Sequence, residues 1–189
     1  MCDNCAAGAW RLRALLQQVQ APTPNFTTVF RLRDALCSSS ASPDVYATGG
    51  YDHIAKLWDM RAGQPAQSRD CGHPVEDVIL LPSGAVMVTA AQNEIRFWSV
   101  LGGGAGGCMS CCINHQKTVT CLKYDGSQIG GGGSASGRVL SGSLDRHVKV
   151  LDVNTFKVTH SCSYPDPIMS LDVSPAATHV AVGMSTSTM

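Results

Sequence analysis

Four side chains that could bind a metal ion lie close together in the sequence: Cys108, Cys111, Cys112 and His115. Thiolates and imidazoles are the ligands of structural zinc sites. A second Cys-x-x-Cys pair stands at Cys2 and Cys5, but it is 103 residues away from the first pair, and one zinc module has far closer spacing. We therefore expect no metal. The cysteines near residue 110 are interpreted as small apolar strand residues at the end of a glycine loop.

The glycine-rich run 102–107 fits the composition of a G-x-G-x-x-G nucleotide fingerprint. Such a site needs a strand before the glycines and a helix after them. A strand-like segment precedes the run, but residues 108–115 lack helical spacing of apolar residues. No G-K-[ST], nucleophile elbow or H-E-x-x-H sequence occurs. The sequence thus supports neither an enzyme nor a cofactor. An enzyme that holds a nucleotide or a metal within residues 102–115 is kept as an alternative.

Two carboxylates, Asp52 and Asp145, occupy the same position in two similar stretches. The stretch TGGYDHIAKLWD (48–59) matches SGSLDRHVKVLD (141–152), and each aspartate precedes a segment of alternating apolar residues. A catalytic role is one interpretation. However, a glycine that precedes an aspartate by two or three residues, as in both stretches, is typical of tight turns, where the aspartate hydrogen-bonds the backbone. We interpret both aspartates as structural.

The elements that position these residues are predicted to be short antiparallel strands. From about residue 35, runs rich in Val, Ile, Leu and Thr alternate with clusters of turn residues. The predicted strands are VYAT, HIAKLWD, DVILL, VMVTA, EIRFWSV, TVTCLKY, RVLSG, HVKVLDV, IMSLDV and HVAVG. Before them, residues 9–19 carry apolar side chains at helical spacing, which predicts a short N-terminal helix that ends at the prolines of 21–24.

The strand pattern repeats with a period near 40 residues. Trp58 and Trp98 are 40 residues apart, and the third repeat is lengthened by the glycine- and serine-rich segment 127–137, a predicted flexible surface loop. Four short strands per repeat of this length are typical of WD-repeat propeller blades. The chain therefore resembles the WD-repeat family. We expect an all-β, partial propeller of about three and a half blades, each a four-stranded antiparallel sheet.

The WD-repeat resemblance implies a buried hydrogen-bond network in each blade, formed by a histidine, a serine or threonine, an aspartate and a tryptophan. A buried tryptophan N–H without an acceptor costs about 1–3 kcal/mol, so the network has a structural purpose. The resemblance assigns to it Thr48, Asp52 and Trp58 in the first repeat, Thr89 and Trp98 in the second, and His115, Ser141 and Asp145 in the third.

No repeat has all four members of the network. Leu151 replaces the tryptophan of the third repeat, and the shortened turn of the second repeat has no aspartate. His73 looks like the missing histidine of the second repeat, but His115 precedes Val119 by four residues, and the same register selects Cys71. We therefore interpret His73 as an exposed loop residue and expect packing to hold the fold together.

The turns between paired strands would lie on one rim of the propeller, which is a common partner surface in this fold. The predicted contact residues are the exposed turn residues Tyr51, His53, Leu144, Arg146 and His147.

Composition limits the kinds of partner. The 14 basic and 14 acidic residues give no net charge, so no global field attracts nucleic acid or an anionic membrane. No apolar run approaches the roughly 20 residues that would cross a bilayer. The nine cysteines have irregular spacing, unlike a secreted disulfide framework, and a reducing compartment is expected.

An ordered series of motifs indicates one family of WD-repeat proteins. The motifs are GHPVEDV (72–78), VTAAQNEIRFW (88–98), NHQKTVTCL (114–122), VLSGSLDRHVKV (139–150) and VAVGM (180–184). Together they resemble the family of U-three small nucleolar RNA-associated protein fifteen. The resemblance implies a non-catalytic nucleolar scaffold of the small-subunit processome, which supports processing of small-subunit pre-ribosomal RNA. Its partners would be other processome WD-repeat proteins, with indirect contact to pre-ribosomal and small nucleolar RNA and no small-molecule substrate.

The predicted organisation is an N-terminal helix and linker at 1–34, followed by a partial propeller at 35–189. Members of the family have further blades and a C-terminal helical domain, so we expect the chain to be a fragment of such a protein. A general WD-repeat adaptor, such as a substrate receptor of a ubiquitin ligase, is the alternative function.

Overall fold

The computed structural model describes residues 35–38, 45–59, 65–102, 107–126, 137–174 and 178–185. Two predicted features lie outside these ranges: the N-terminal helix, and the glycine- and serine-rich loop except for its last residue. The division of the chain at residue 34 stays a prediction.

Within these ranges, fourteen strands form four antiparallel sheets, and each sheet follows the order of the chain. The first blade contains β1 (Ala35–Ser38), β2 (Val45–Gly49), β3 (Ile54–Asp59) and β4 (Pro65–Asp70). The second contains β5 (Val75–Leu80), β6 (Val86–Ala91), β7 (Glu94–Ser99) and β8 (Cys108–Cys112). The third contains β9 (Val119–Asp125), β10 (Arg138–Ser143), β11 (His147–Asp152) and β12 (Val158–Ser163). The fourth sheet contains β13 (Ile168–Val173) and β14 (Val180–Met184). The prediction of an all-β, partial WD-repeat propeller is confirmed.

The predicted strands and the outer strands differ in burial. All ten predicted strands form, with ends that shift by one or two residues. The sequence pattern did not predict β1, β4 or β12. The reason is plain for β4 and β12, which are mostly exposed and carry almost no apolar side chains towards the core, so they lack the apolar alternation that marks a half-buried strand. β8 agrees with the interpretation of its cysteines as strand residues, although Cys108 and Cys111 are exposed rather than buried.

The core consists of three apolar clusters, each between two successive sheets. The cluster between the first and second blades includes Leu57, Val75, Val78 and Trp98. The cluster between the second and third blades includes Ile95, Phe97, Val119, Leu122 and Leu151. The cluster between the third blade and the fourth sheet includes Cys121, Leu140, Val148, Ile168 and Leu171. Each sheet thus buries its apolar side chains against its neighbours, so the sheets stabilise one another.

Gly142 on β10 lets the third blade and the fourth sheet approach closely. A methyl group at this position would lie 2.7 Å from both Cys121 Sγ and Ile168 Cγ2. Gly49 has the same position on β2 and lies against Val75 of the second blade. The second blade has a fully buried Ala90 there instead. Small residues at this position therefore set the spacing between successive sheets.

We predict that Gly142→Ala destabilises the protein by about 1–3 kcal/mol, because the added methyl group must displace well-packed side chains. Denaturant unfolding measures the effect. The matched control is Ser161→Ala on the exposed strand β12, which should change the free energy of unfolding by less than about 0.5 kcal/mol. Equal stability of the two variants would show that the sheets can move apart at no cost.

Candidate functional site

In the first blade, Trp58 of β3 pairs with Thr48, whereas Asp52 in the turn between β2 and β3 has other partners. Trp58 Nε1–H donates a hydrogen bond to Thr48 Oγ1 at 2.9 Å, which satisfies the indole. Asp52 does not join them. Its side chain is half exposed, accepts the Ile54 backbone N–H at 3.2 Å and lies 3.5 Å from Lys56 Nζ. The aspartate therefore stabilises the turn, as its place in the sequence suggested, but forms no buried network.

In the second blade, a thiol stands where the WD-repeat resemblance expects an imidazole. Trp98 Nε1–H donates to Thr89 Oγ1 at 2.9 Å, and Cys71 Sγ lies 3.7 Å from the same hydroxyl. Cys71 and Thr89 are fully buried. Burial raises the pKa of the Cys71 thiol, so it stays protonated and acts as a weak donor. His73 lies in the loop after Cys71 and is half-buried, not exposed as predicted.

In the third blade, three polar residues form a continuous network. His115 Nδ1 lies 2.9 Å from Asp145 Oδ2, and His115 Nε2 lies 2.8 Å from Ser141 Oγ. Burial lowers the pKa of His115, and its hydrogen bond to Asp145 opposes this only in part, so the ring is neutral. Nδ1–H then donates to the carboxylate, and Ser141 O–H donates to Nε2. Leu151 is fully buried where the other blades have tryptophan.

Asp145 links the turn between β10 and β11 to the loop that precedes β9. Its Oδ2 accepts the Gln116 N–H at 3.0 Å as well as the His115 Nδ1–H, and its Oδ1 accepts the His147 N–H at 3.0 Å. Burial raises the pKa of the carboxyl, but the hydrogen bonds from Gln116 and His115 outweigh this effect, and the pKa lies below its ordinary value. The carboxylate is ionised and serves three donors.

The same residue types form the nucleophilic triad of serine hydrolases, and the distances in the third blade would suit it. Access decides against that chemistry. Ser141 is 0% exposed and His115 is 3% exposed, so no substrate can reach the Ser141 hydroxyl in this fold. The arrangement can hold a turn and a loop together; it cannot attack a carbonyl.

Asp77 on β5 is a titratable residue that the sequence analysis missed. Asp77 Oδ2 accepts the N–H of Leu122, on β9 of the next blade, at 2.6 Å. Asp77 Oδ1 accepts the N–H of the adjacent residue Val78 at 2.8 Å. Burial raises the pKa of Asp77 to about 6, and these hydrogen bonds oppose the rise only in part. The two adjacent carboxylates Glu76 and Asp77 in the strand VEDVIL, of which an alternating pattern would expose only one, were the signal that could have revealed it.

The glycine and cysteine region, which could have held a nucleotide or metal, attaches the second blade to the first. Arg69 of β4 is buried and donates to Gly102 O at 3.2 Å, and Gln67 Nε2 donates to Val100 O at 2.8 Å. Cys112 Sγ lies 3.3 Å from Phe156 O of the third blade.

Within the described ranges, no three His, Cys, Asp or Glu side chains are grouped as metal ligands. No helix in the same ranges is long and apolar enough to span a membrane.

The five predicted rim residues lie in the equivalent turns of the first and third blades. Tyr51, His53 and Arg146 are exposed, whereas Leu144 and His147 are half-buried. The Tyr51 hydroxyl donates to Glu76 Oε1 of the second blade at 3.3 Å. His53 and Arg146 adopt positive φ angles of 68° and 69°. The structure thus places four of the five residues within the turns and His147 at the edge of its turn, where it is the first residue of β11.

We predict that the third-blade network loses stability as the pH falls. Unfolded His115 takes up a proton below its ordinary pKa of about 6.5, whereas the folded ring, with its lowered pKa, stays neutral. The stability advantage of wild type over His115→Gln should therefore be full above about pH 7 and shrink towards pH 5. Unfolding titrations across this range measure it. Leu151→Ala, a buried change without a titrating group, should show a deficit that does not vary with pH.

We predict the opposite pH dependence for Asp77. Its folded pKa of about 6 exceeds the ordinary value of 3.8, so the folded state binds a proton first, and the contribution of Asp77 to stability rises as the pH falls from 7 towards 4, opposite in sign to that of His115. Asp77→Asn should abolish this rise. Asp77→Leu should abolish it too and cost about 1–3 kcal/mol more, because the Leu122 N–H loses its acceptor. A rise that persists in Asp77→Asn would assign the titration to another group.

Comparisons with known proteins agree with this geometry. Residues 106–152 match the family model described as "WD domain, G-beta repeat". The chain is 42% identical over 149 residues to the U3 small nucleolar RNA-associated protein 15 homolog of Gallus gallus, and 39% identical over 149 residues to that of Homo sapiens. Protein SLOW WALKER 1 of Arabidopsis thaliana is 41% identical over 115 residues, which cover 60% of this chain and 20% of the relative.

The match to the two vertebrate proteins covers 79% of this chain but only 27% of each relative, so the chain spans about a quarter of their length. The matching WD-repeat model, the four-stranded sheets and the predicted motifs agree with one another. The chain therefore contains a WD repeat within a partial WD-repeat propeller, and most of it is similar to one part of the U3 small nucleolar RNA-associated protein 15 homologs.

Proposed function

We propose that the chain is part of a non-catalytic scaffold of the small-subunit processome that supports processing of small-subunit pre-ribosomal RNA in the nucleolus. The observation that carries the proposal is the 39–42% identity, over 79% of the chain, to proteins named for their association with U3 small nucleolar RNA. The partners would be other WD-repeat proteins of the processome. Contact with pre-ribosomal and small nucleolar RNA would be indirect, because the chain has no net charge to attract a polyphosphate.

The buried networks support a scaffold rather than an enzyme. In the third blade, the hydroxyl, imidazole and carboxylate that could perform chemistry are used to join a turn to a loop. In the second blade, the thiol of Cys71 contacts only buried partners. Polar groups that are satisfied by one another in the interior contribute to rigidity, which a binding surface needs.

The proposed partner surface is the rim that carries Tyr51, His53, Leu144, Arg146 and His147. Turns that project from a rigid propeller are suited to binding because their side chains can vary without a change in the core. The alternative, an adaptor such as a ubiquitin-ligase substrate receptor, would use the same rim, since a WD-repeat fold does not by itself determine the partner.

We predict that the tagged chain, purified from nuclear extract and analysed by mass spectrometry, recovers small-subunit processome proteins together with their RNA. The destabilised Gly142→Ala variant at equal expression should recover less, since its blades are less well packed. Treatment with ribonuclease should leave the protein partners bound, because the proposed contacts are between proteins.

Recovery of a ubiquitin-ligase scaffold without processome proteins would replace the proposal with the adaptor alternative. Recovery of chaperones alone, or of cytosolic complexes alone, would contradict the proposal for this part of the family.

A further inference from the structure

Positive charge is concentrated on the rim of the third blade. In the first blade, Lys56 lies 3.5 Å from Asp52, and in the second blade Arg96 lies 2.6 Å from Glu94, so these cations have acidic partners. Lys117 and Arg146 of the third blade are exposed. Neither forms a salt bridge with any of the residues that the structure describes.

The segments that carry Lys117 and Arg146 are held together in the third blade. The Ser143 hydroxyl donates to Lys117 O at 3.0 Å, and the Leu144 N–H donates to Thr118 O at 3.0 Å. Lys149 Nζ donates to Asn114 O at the other end of the same loop. The loop 113–118, the turn 144–147 and the adjoining strand β11 therefore carry three cations at one end of the third blade. We name them the cationic rim patch: Lys117 and Arg146, which are exposed, and Lys149 of β11, which is half-buried.

Asp145 is the carboxylate within this turn, and its oxygens face inward. They accept hydrogen bonds from His115, from the Gln116 N–H and from the His147 N–H. A carboxylate that is occupied by three internal donors is poorly placed to pair with Arg146 or Lys117. The outward field of the cationic rim patch is therefore positive, although the whole chain is neutral.

The backbone at Arg146 adds a second observation. Its φ of 69° is in the left-handed region, which glycine adopts freely and which costs a residue with a side chain about 1 kcal/mol. His53 and Gln92 share this conformation, so the strain alone does not identify a site. The left-handed backbone and the exposed side chain, which forms no salt bridge with the described residues, together indicate that Arg146 serves a purpose other than stability.

We infer that the cationic rim patch binds an acidic segment of a partner protein, rich in aspartate and glutamate. That the partner is a protein rests on the proposed scaffold function. The size of the patch supports it: three cations match a short acidic segment, whereas proteins that bind nucleic acid through phosphates commonly make about 6–10 such contacts. RNA binding also uses exposed aromatic rings for stacking. The backbone N–H of Tyr164 donates to Arg146 O, but the Tyr164 ring packs against the cluster between the third blade and the fourth sheet.

The test uses the full chain and two labelled probes of similar charge, a peptide of eight glutamates and a single-stranded octamer of uridine. Fluorescence anisotropy should show tighter binding of the peptide, with an affinity that falls as ionic strength rises from about 0.02 M to 0.3 M. Lys117→Ala and Arg146→Gly should each weaken peptide binding by about two- to fivefold, the range expected for exposed ion pairs.

Arg146→Gly separates binding from folding, because glycine relieves the left-handed backbone and should not lower the melting temperature. The matched control is His53→Gly, which makes the same change in the first blade outside the cationic rim patch and should leave peptide affinity unchanged.

Three results would overturn the inference: tighter binding of the uridine octamer, no binding of the peptide, or equal peptide affinity in wild type, Lys117→Ala and Arg146→Gly. The assay contains no processome component. If the peptide binds at the patch but nuclear extract yields no processome proteins, the patch stands and the proposed function fails.

Discussion

The structure depends on the packing of each sheet against the next. A four-stranded antiparallel sheet of this size has two faces, and its interior positions are too few to stabilise it alone. Apolar side chains such as Val75, Phe97 and Ile168 are fully buried only because a neighbouring sheet covers them. The close approach at Gly49 and Gly142 allows that contact. Every other feature of the chain, including its rim, is fixed in space by these interfaces.

The polar network of the blades is secondary to this packing. The first blade keeps only the bond from tryptophan to threonine, the second replaces imidazole with a thiol, and the third replaces tryptophan with Leu151. In each case the remaining buried groups still find partners. A donor that is absent requires no acceptor, so a blade can lose one member of the network without leaving another orphaned. Different incomplete networks can therefore support the same fold.

The separation of a rigid interior from exposed turns fits the scaffold function that we propose. Asp145, His115 and Gln116 hold the turn of the third blade against the loop before β9, and the Ser143 hydroxyl at the start of this turn donates to Lys117 O. A preorganised surface loses less conformational entropy when a partner binds. In this way a buried hydrogen-bond network would contribute to the recognition that we propose for the rim.

The sequence by itself determined the strand order, the repeat and the positions of the network, because alternation of apolar residues and turn residues are local properties of the chain. It selected Cys71 over His73 through register alone. It could not reveal the outer strands β4 and β12, whose exposed residues carry no pattern. Only the tertiary structure decided that Asp52 stays at the surface, that Asp77 reaches Leu122 in the next blade, and that Ser143 binds Lys117 O. These relations join residues of different strands or blades, and the distance between such residues is set by packing, which no single stretch of sequence contains.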